Sequence, residues 1–117
     1  PTIVTHYPAS QSALARRSVE DPRTAERFEL FVRGVELANG YHELLDAPEL
    51  QQRNQRVASQ RAADGKAPLP VHSRLLDAMQ AGLPACSGCA VGFDRLVMLA
   101  AGADSIDQVI PFPIEKA

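Results

Sequence analysis

Glu29 and Glu36 are the side chains whose spacing most invites a chemical reading. They lie in two runs, Arg27-Phe28-Glu29-Leu30-Phe31-Val32 and Val35-Glu36-Leu37-Ala38-Asn39-Gly40-Tyr41, separated by Arg33-Gly34. If Arg33-Gly34 is a two-residue turn, Val32 pairs with Val35 and Phe31 with Glu36. Glu29, two residues from Phe31, then shares a face with Glu36, and the two become diagonal neighbours at roughly 7–8 Å. Two such acids repel unless a cation lies between them, and a pair of carboxylates completed by phosphate oxygens is a common magnesium holder. Two solvated glutamates on an open sheet face would have the same spacing.

Asn39, Tyr41 and Glu43 form a second set. Period-two alternation puts all three on one face. An amide, an aromatic ring and a carboxylate together can recognise an ammonium group by hydrogen bond, cation–π contact and charge. The same alternation leaves Glu36 on the other face, so a shared site requires a β-bulge near Ala38–Gly40. Without one, the set is an ordinary strand end.

The third candidate is Ser87-Gly88-Cys89-Ala90-Val91-Gly92-Phe93-Asp94-Arg95. Small residues at alternate positions let another molecule approach one strand face. Arg95 falls at the start of the following helix, where a cation opposes the helix dipole. A bound anion would explain it; so would a surface ion pair.

The elements that must carry these residues read as a mixture. Thr2–Tyr7 is expected as a short strand stopped by Pro8. Ser10–Arg17 is a loop or one helical turn, and Asp21-Pro22 opens a turn with Pro22 suited to a first helical position. The two runs around Arg33-Gly34 make an antiparallel hairpin. Pro48–Asp64 reads as a solvent-covered helix ended by Gly65. Ser73 can cap a helix bearing Leu75, Leu76 and Met79 and closed by Gly82. Cys86–Phe93 suits a buried strand, Asp94 can cap a helix over Arg95–Ala101, and Val109–Pro113 is extended. A local hairpin as the strongest pairing favours an α+β fold with an antiparallel β-sheet flanked by helices.

Composition excludes several classes. The 12 basic and 14 acidic residues are interspersed, for a net charge of −2, and the isoelectric point of about 5.9 lacks the basic bias of a nucleic-acid grip. No apolar run approaches the ~20 residues of a membrane helix, and nothing in the opening residues resembles a secretion signal, so a cytoplasmic location is expected. The 45% of hydrophobic residues among 117 suffices for a core. Cys86 and Cys89 form a lone CxxC, too few ligands for structural zinc, and are expected as packed thiols. The sequence opens on Pro1, not Met, so an upstream portion is expected.

In this order, the three sets resemble the second half of a class II aminoacyl-tRNA synthetase catalytic domain of the lysyl type. The resemblance covers essentially the whole chain. It runs through Thr5-His6-Tyr7-Pro8, Glu26-Arg27-Phe28-Glu29-Leu30-Phe31, Glu36-Leu37-Ala38-Asn39-Gly40-Tyr41-His42-Glu43-Leu44, and the glycine–arginine signature Gly92-Phe93-Asp94-Arg95-Leu96-Val97-Met98-Leu99. That signature is the class's motif 3, here at about residues 86–101. Motifs 1 and 2 have no match, so residues 1–117 are expected to be the C-terminal part of the domain, inactive in isolation.

The resemblance implies roles. Glu29 and Glu36 would hold Mg2+ on ATP, with the backbone at Glu36-Leu37 beside the nucleotide. Arg95, the catalytic arginine, would contact the γ-phosphate, and Gly92 would let the adenosine lie against the strand. Asn39, Tyr41, Glu43, Gly88 and Ala90 would line the pocket of a lysine-like amino acid, with Glu43 pairing its side-chain ammonium. Lysyl-tRNA synthetases have glycine where this chain has Ala90. Pro84-Ala85-Cys86-Ser87-Gly88 with Ala90 and Gly92, and Tyr7-Pro8-Ala9-Ser10-Gln11, more closely resemble the elongation factor P–(R)-β-lysine ligases. That family implies a homodimeric parent and elongation factor P as acceptor. A lysyl-tRNA synthetase acting on tRNA and a non-catalytic interaction module are the alternatives.

Overall fold

The computed structural model describes residues 1–70 and 72–114. Four strands, β1 (Thr2–Pro8), β2 (Thr24–Val32), β3 (Val35–His42) and β4 (Ser87–Val91), form one antiparallel sheet in the order β1-β2-β3-β4. Among the described residues, three α-helices, α1 (Ala47–Ala63), α2 (Arg74–Ala81) and α3 (Phe93–Ala101), complete an α+β arrangement.

The hairpin follows from its turn. Arg33 and Gly34 both adopt positive φ, 52° and 79°, the two-residue geometry whose twist matches paired strands. Val32 pairs with Val35 and Phe31 with Glu36, as the sequence predicts. The expected bulge is also present, one residue earlier than Ala38–Gly40. Phe31 pairs with Glu36 but Leu30 with Ala38, which leaves Leu37 as the extra residue. Its carbonyl accepts a 2.8 Å bond from the Gly92 N–H, so the bulge is held from the start of α3.

Asp46 caps α1 by accepting from the Glu49 N–H, with Pro48 in the first turn. Ser73 caps α2 through the Leu76 N–H, and Gly82 follows it at φ 98°. Leu44, Ala47, Leu50, Leu76 and Met79 form the buried apolar cluster where these helices meet the end of β3.

Several expectations change. Pro22 lies in a turn closed by the Thr24 N–H on the Asp21 carbonyl, and the chain enters β2 with no helix. Gly92, with no side-chain bond, stands at the cap of α3 where Asp94 was expected. Val109–Phe112 turns and bends. β4 is exposed instead of buried, with Cys86 and Cys89 both accessible. The cause is the thin second layer: α1 packs chiefly on α2 and α3 on β3, leaving Val91 58% and Phe93 71% exposed. The radius of gyration is 17.2 Å, against about 13 Å for a self-contained domain of some 100 residues. The apolar content anticipated a larger core than these contacts make.

Candidate functional site

The bulge at Leu37 decides what the sheet can present. Beyond it, Glu29 lies directly opposite Asn39 and Arg27 opposite Tyr41. On the next strand Asn39 faces Ala90 and Tyr41 faces Gly88. One face therefore carries Arg27, Glu29, Phe31, Glu36, Asn39, Tyr41, Gly88 and Ala90 together. Unbroken alternation would have sent Glu36 to the opposite side.

Glu29 is buried, at 8% exposure, and both its oxygens are engaged. Its Oε2 accepts from the Tyr7 hydroxyl at 2.6 Å, and its Oε1 accepts from the Arg27 guanidinium. This excludes a freely solvated Glu29. The carboxylate accepting its O–H, with burial second, holds the Tyr7 hydroxyl above its ordinary value of 10.0. Tyr7 reaches this face where the β1–β2 register shifts between Thr5 and Tyr7, with His6 at φ 57°.

Arg27 and Tyr7 are the site members that reading from the sequence missed. The Arg27 guanidinium stacks on the Tyr7 ring at 4.4 Å, lies 5.9 Å from the Tyr41 ring centre, and donates to the Gln11 carbonyl at 2.7 Å. The available signal was the spacing of Arg27, two residues from Glu29 and therefore on its face.

Glu36 is more open, its side chain 39% exposed against 11% for Glu29. Arg95 folds back on it, with Nη1 donating to the Glu36 carbonyl at 2.8 Å and lying 3.8 Å from Oε2. The ion-pair reading of Arg95 thus holds, and its acid partner is one of the two glutamates expected to bind the metal. A Cβ at Gly92 would come within 3.2 Å of the Arg95 side chain, so glycine there gives the arginine room. Leu37 is buried and its carbonyl is taken by Gly92.

Asn39, Tyr41, Glu43, Gly88, Cys89 and Ala90 line a cavity of about 290 Å³. All five residues expected for an amino-acid pocket are among them. Glu43 lies one residue beyond β3, and its carboxylate rests where a Gly88 Cβ would stand, 2.5 Å from Oε1. Asn39 Oδ1 is buried with no partner among the described residues, as is Arg27 Nε. A buried acceptor at the cavity wall calls for a donor from water or a ligand.

The donor chemistry suits a hard divalent cation. Each Glu29 oxygen accepts one bond from protein, leaving a lone pair on each, and Glu36 stands half-exposed. No group of three or more metal-ligating side chains exists among the described residues, so nucleotide phosphates would have to supply further ligands. Among the described residues no helix is long and apolar enough to cross a membrane.

The family model for class II tRNA synthetases (D, K and N) matches residues 1–116. Relatives from Salmonella dublin, Salmonella paratyphi B and Salmonella heidelberg, each named elongation factor P–(R)-β-lysine ligase, are 56% identical over 117 residues. The match covers 100% of this chain and 36% of each relative, so the chain spans about a third of their length.

Proposed function

This chain belongs to the class II tRNA synthetases of the D, K and N type, and from that premise we propose that it is the C-terminal part of the catalytic domain of a longer, homodimeric ATP-dependent ligase. The ligase activates (R)-β-lysine as an aminoacyl-adenylate and joins it to a lysine of elongation factor P. Residues 86–101 are motif 3, and the upstream motifs come from the rest of the protein. The exposed apolar side chains of β4 and α3 support a larger domain around this segment.

The observation that carries the reading is the Leu37 bulge, which gathers the two glutamates and the cavity lined by Asn39, Tyr41 and Glu43 on one face. Glu29 and Glu36 would hold Mg2+, which neutralises phosphate charge when bound. Arg95 binds the γ-phosphate, and Gly92 and the Leu37 backbone leave space for the nucleoside. Arg95 gives up its hold on the Glu36 carbonyl to do so. Asn39, Tyr41 and Glu43 orient the amino acid, with Glu43 on its side-chain ammonium and Gly88 making room for that carboxylate. The substrate carboxylate attacks the α-phosphorus of ATP, forming a C–O–P bond as the α–β bridge breaks and pyrophosphate leaves. The acceptor amine then attacks the activated carbonyl, giving an amide, AMP and a proton. Fixed positive charge around the phosphates stabilises the first of these transition states.

Ala90 bears on the choice of amino acid. Its methyl group stands at the pocket wall, and a methylene-sized difference discriminates by roughly 1–3 kcal/mol. ATP–pyrophosphate exchange by the full-length protein, with (R)-β-lysine and α-lysine compared, tests this. Preference for (R)-β-lysine is expected. Preference for α-lysine would return the protein to the tRNA synthetases, and no exchange with either would leave an interaction module.

A further inference from the structure

We propose that Arg27 is a positioning residue that holds the Glu29 carboxylate for the metal-bound nucleotide and ties it, through Tyr7 and Tyr41, to the amino-acid pocket. The inference rests on the functional reading above and names the support on which its carboxylate pair depends.

The geometry is specific. The guanidinium donates one arm to Glu29 Oε1 and another to the Gln11 carbonyl, at 2.7 Å for the latter. The Tyr7 ring lies against it at 4.4 Å, and the same Tyr7 returns its hydroxyl to Glu29 Oε2 at 2.6 Å. Arginine, tyrosine and glutamate thus close a triangle in which each touches the other two. Arg27 pairs across the strands with Tyr41, whose ring stands 5.9 Å away and walls the cavity. The Arg27 side chain is only 16% exposed. A lysine would keep the charge but not the planar fork or the stacking.

Two effects compete at Glu29. As a simple counter-ion, Arg27 offsets the charge that attracts a divalent cation, and removing it would tighten metal binding. As a support, it keeps a long, flexible carboxylate in one orientation, and losing such a partner costs about 10–100-fold in metal affinity or activity. The three-sided clasp makes support the larger effect. The two roles predict opposite signs, which an experiment can read.

Arg27→Gln, Arg27→Lys and Tyr7→Phe are to be made in the full-length protein. One measurement is the Mg2+ concentration giving half-maximal thermal stabilisation by a non-hydrolysable ATP analogue. The second is the Mg2+ dependence of ATP–pyrophosphate exchange. Both midpoints should rise about tenfold for Arg27→Gln, less for Arg27→Lys and least for Tyr7→Phe. If Arg27→Gln fails to fold, the same order between the other two variants and wild type upholds the proposal. Unchanged or lowered midpoints in Arg27→Lys and Tyr7→Phe would overturn it while wild-type exchange left the functional reading standing. A wild type without exchange and without Mg2+-dependent stabilisation by the analogue would overturn both.

Discussion

The two halves of the candidate site are built on different terms. On β1 and β2, Tyr7, Arg27 and Glu29 brace one another, and Glu29 is nearly sealed. On β4 and the start of α3, Gly88, Ala90, Gly92 and Arg95 are small or exposed, and the arginine is held by one bond and a loose ion pair. The first half fixes charge before anything binds. The second leaves room and an exposed cation for something to bind against, and the bulge at Leu37 joins the two.

If that division is right, substitutions in the open half should change kinetics with little change in Tm, and those in the braced half should change Tm first. Arg95→Ala in the full-length protein should show the largest effect, a loss of about 10²–10³ in exchange rate with unfolding unchanged. Gly88→Ala puts a methyl group 2.5 Å from Glu43 Oε1, and the carboxylate must swing away. The KM for the amino acid should rise roughly 10-fold or more while that for ATP holds. A change in the ATP constant of equal size would blur the division.

On the other face of the sheet, a Gly40 Cβ on β3 would meet the Phe28 ring at 2.4 Å and the Gly88 carbonyl at 3.0 Å. Gly40→Ala should therefore cost about 1–3 kcal/mol of stability by overpacking, read by denaturant unfolding.

The smallest effect is electrostatic, at the turn feeding β2. Hydrogen bonds from the Arg23 side chain and backbone lower the Asp21 carboxyl to about 2 from 3.8. A folded value below the unfolded one means the contribution is present above about pH 4 and lost as pH falls towards 2. Carboxyl NMR titration should place the Asp21 midpoint near 2, and Arg23→Ala should raise it part of the way, since the residue-23 backbone N–H still donates.

The hairpin was legible because its signals are local: β-rich runs flanking a pair that tolerates positive φ. The need for a bulge was legible too, from the parity of Glu36 against Asn39. Its position was not, since the Leu37 carbonyl is held by Gly92, 55 residues along the chain. The exposure of β4 was hidden for a similar reason, because a small apolar strand reads as buried whether or not a layer covers it. Arg27 shows the limit most plainly. Its face could be counted from Glu29, but its role depends on Tyr7, which reaches it only through the register shift at His6.

The most direct test of a single shared face is a crystal structure of the full-length protein with a non-hydrolysable (R)-β-lysyl-adenylate analogue. The account predicts the side-chain ammonium against Glu43 with Asn39 and Tyr41 beside it, and the adenosine against Gly92 and the Leu37 backbone. An analogue bound away from this face, or one that leaves Glu43 untouched, would contradict it.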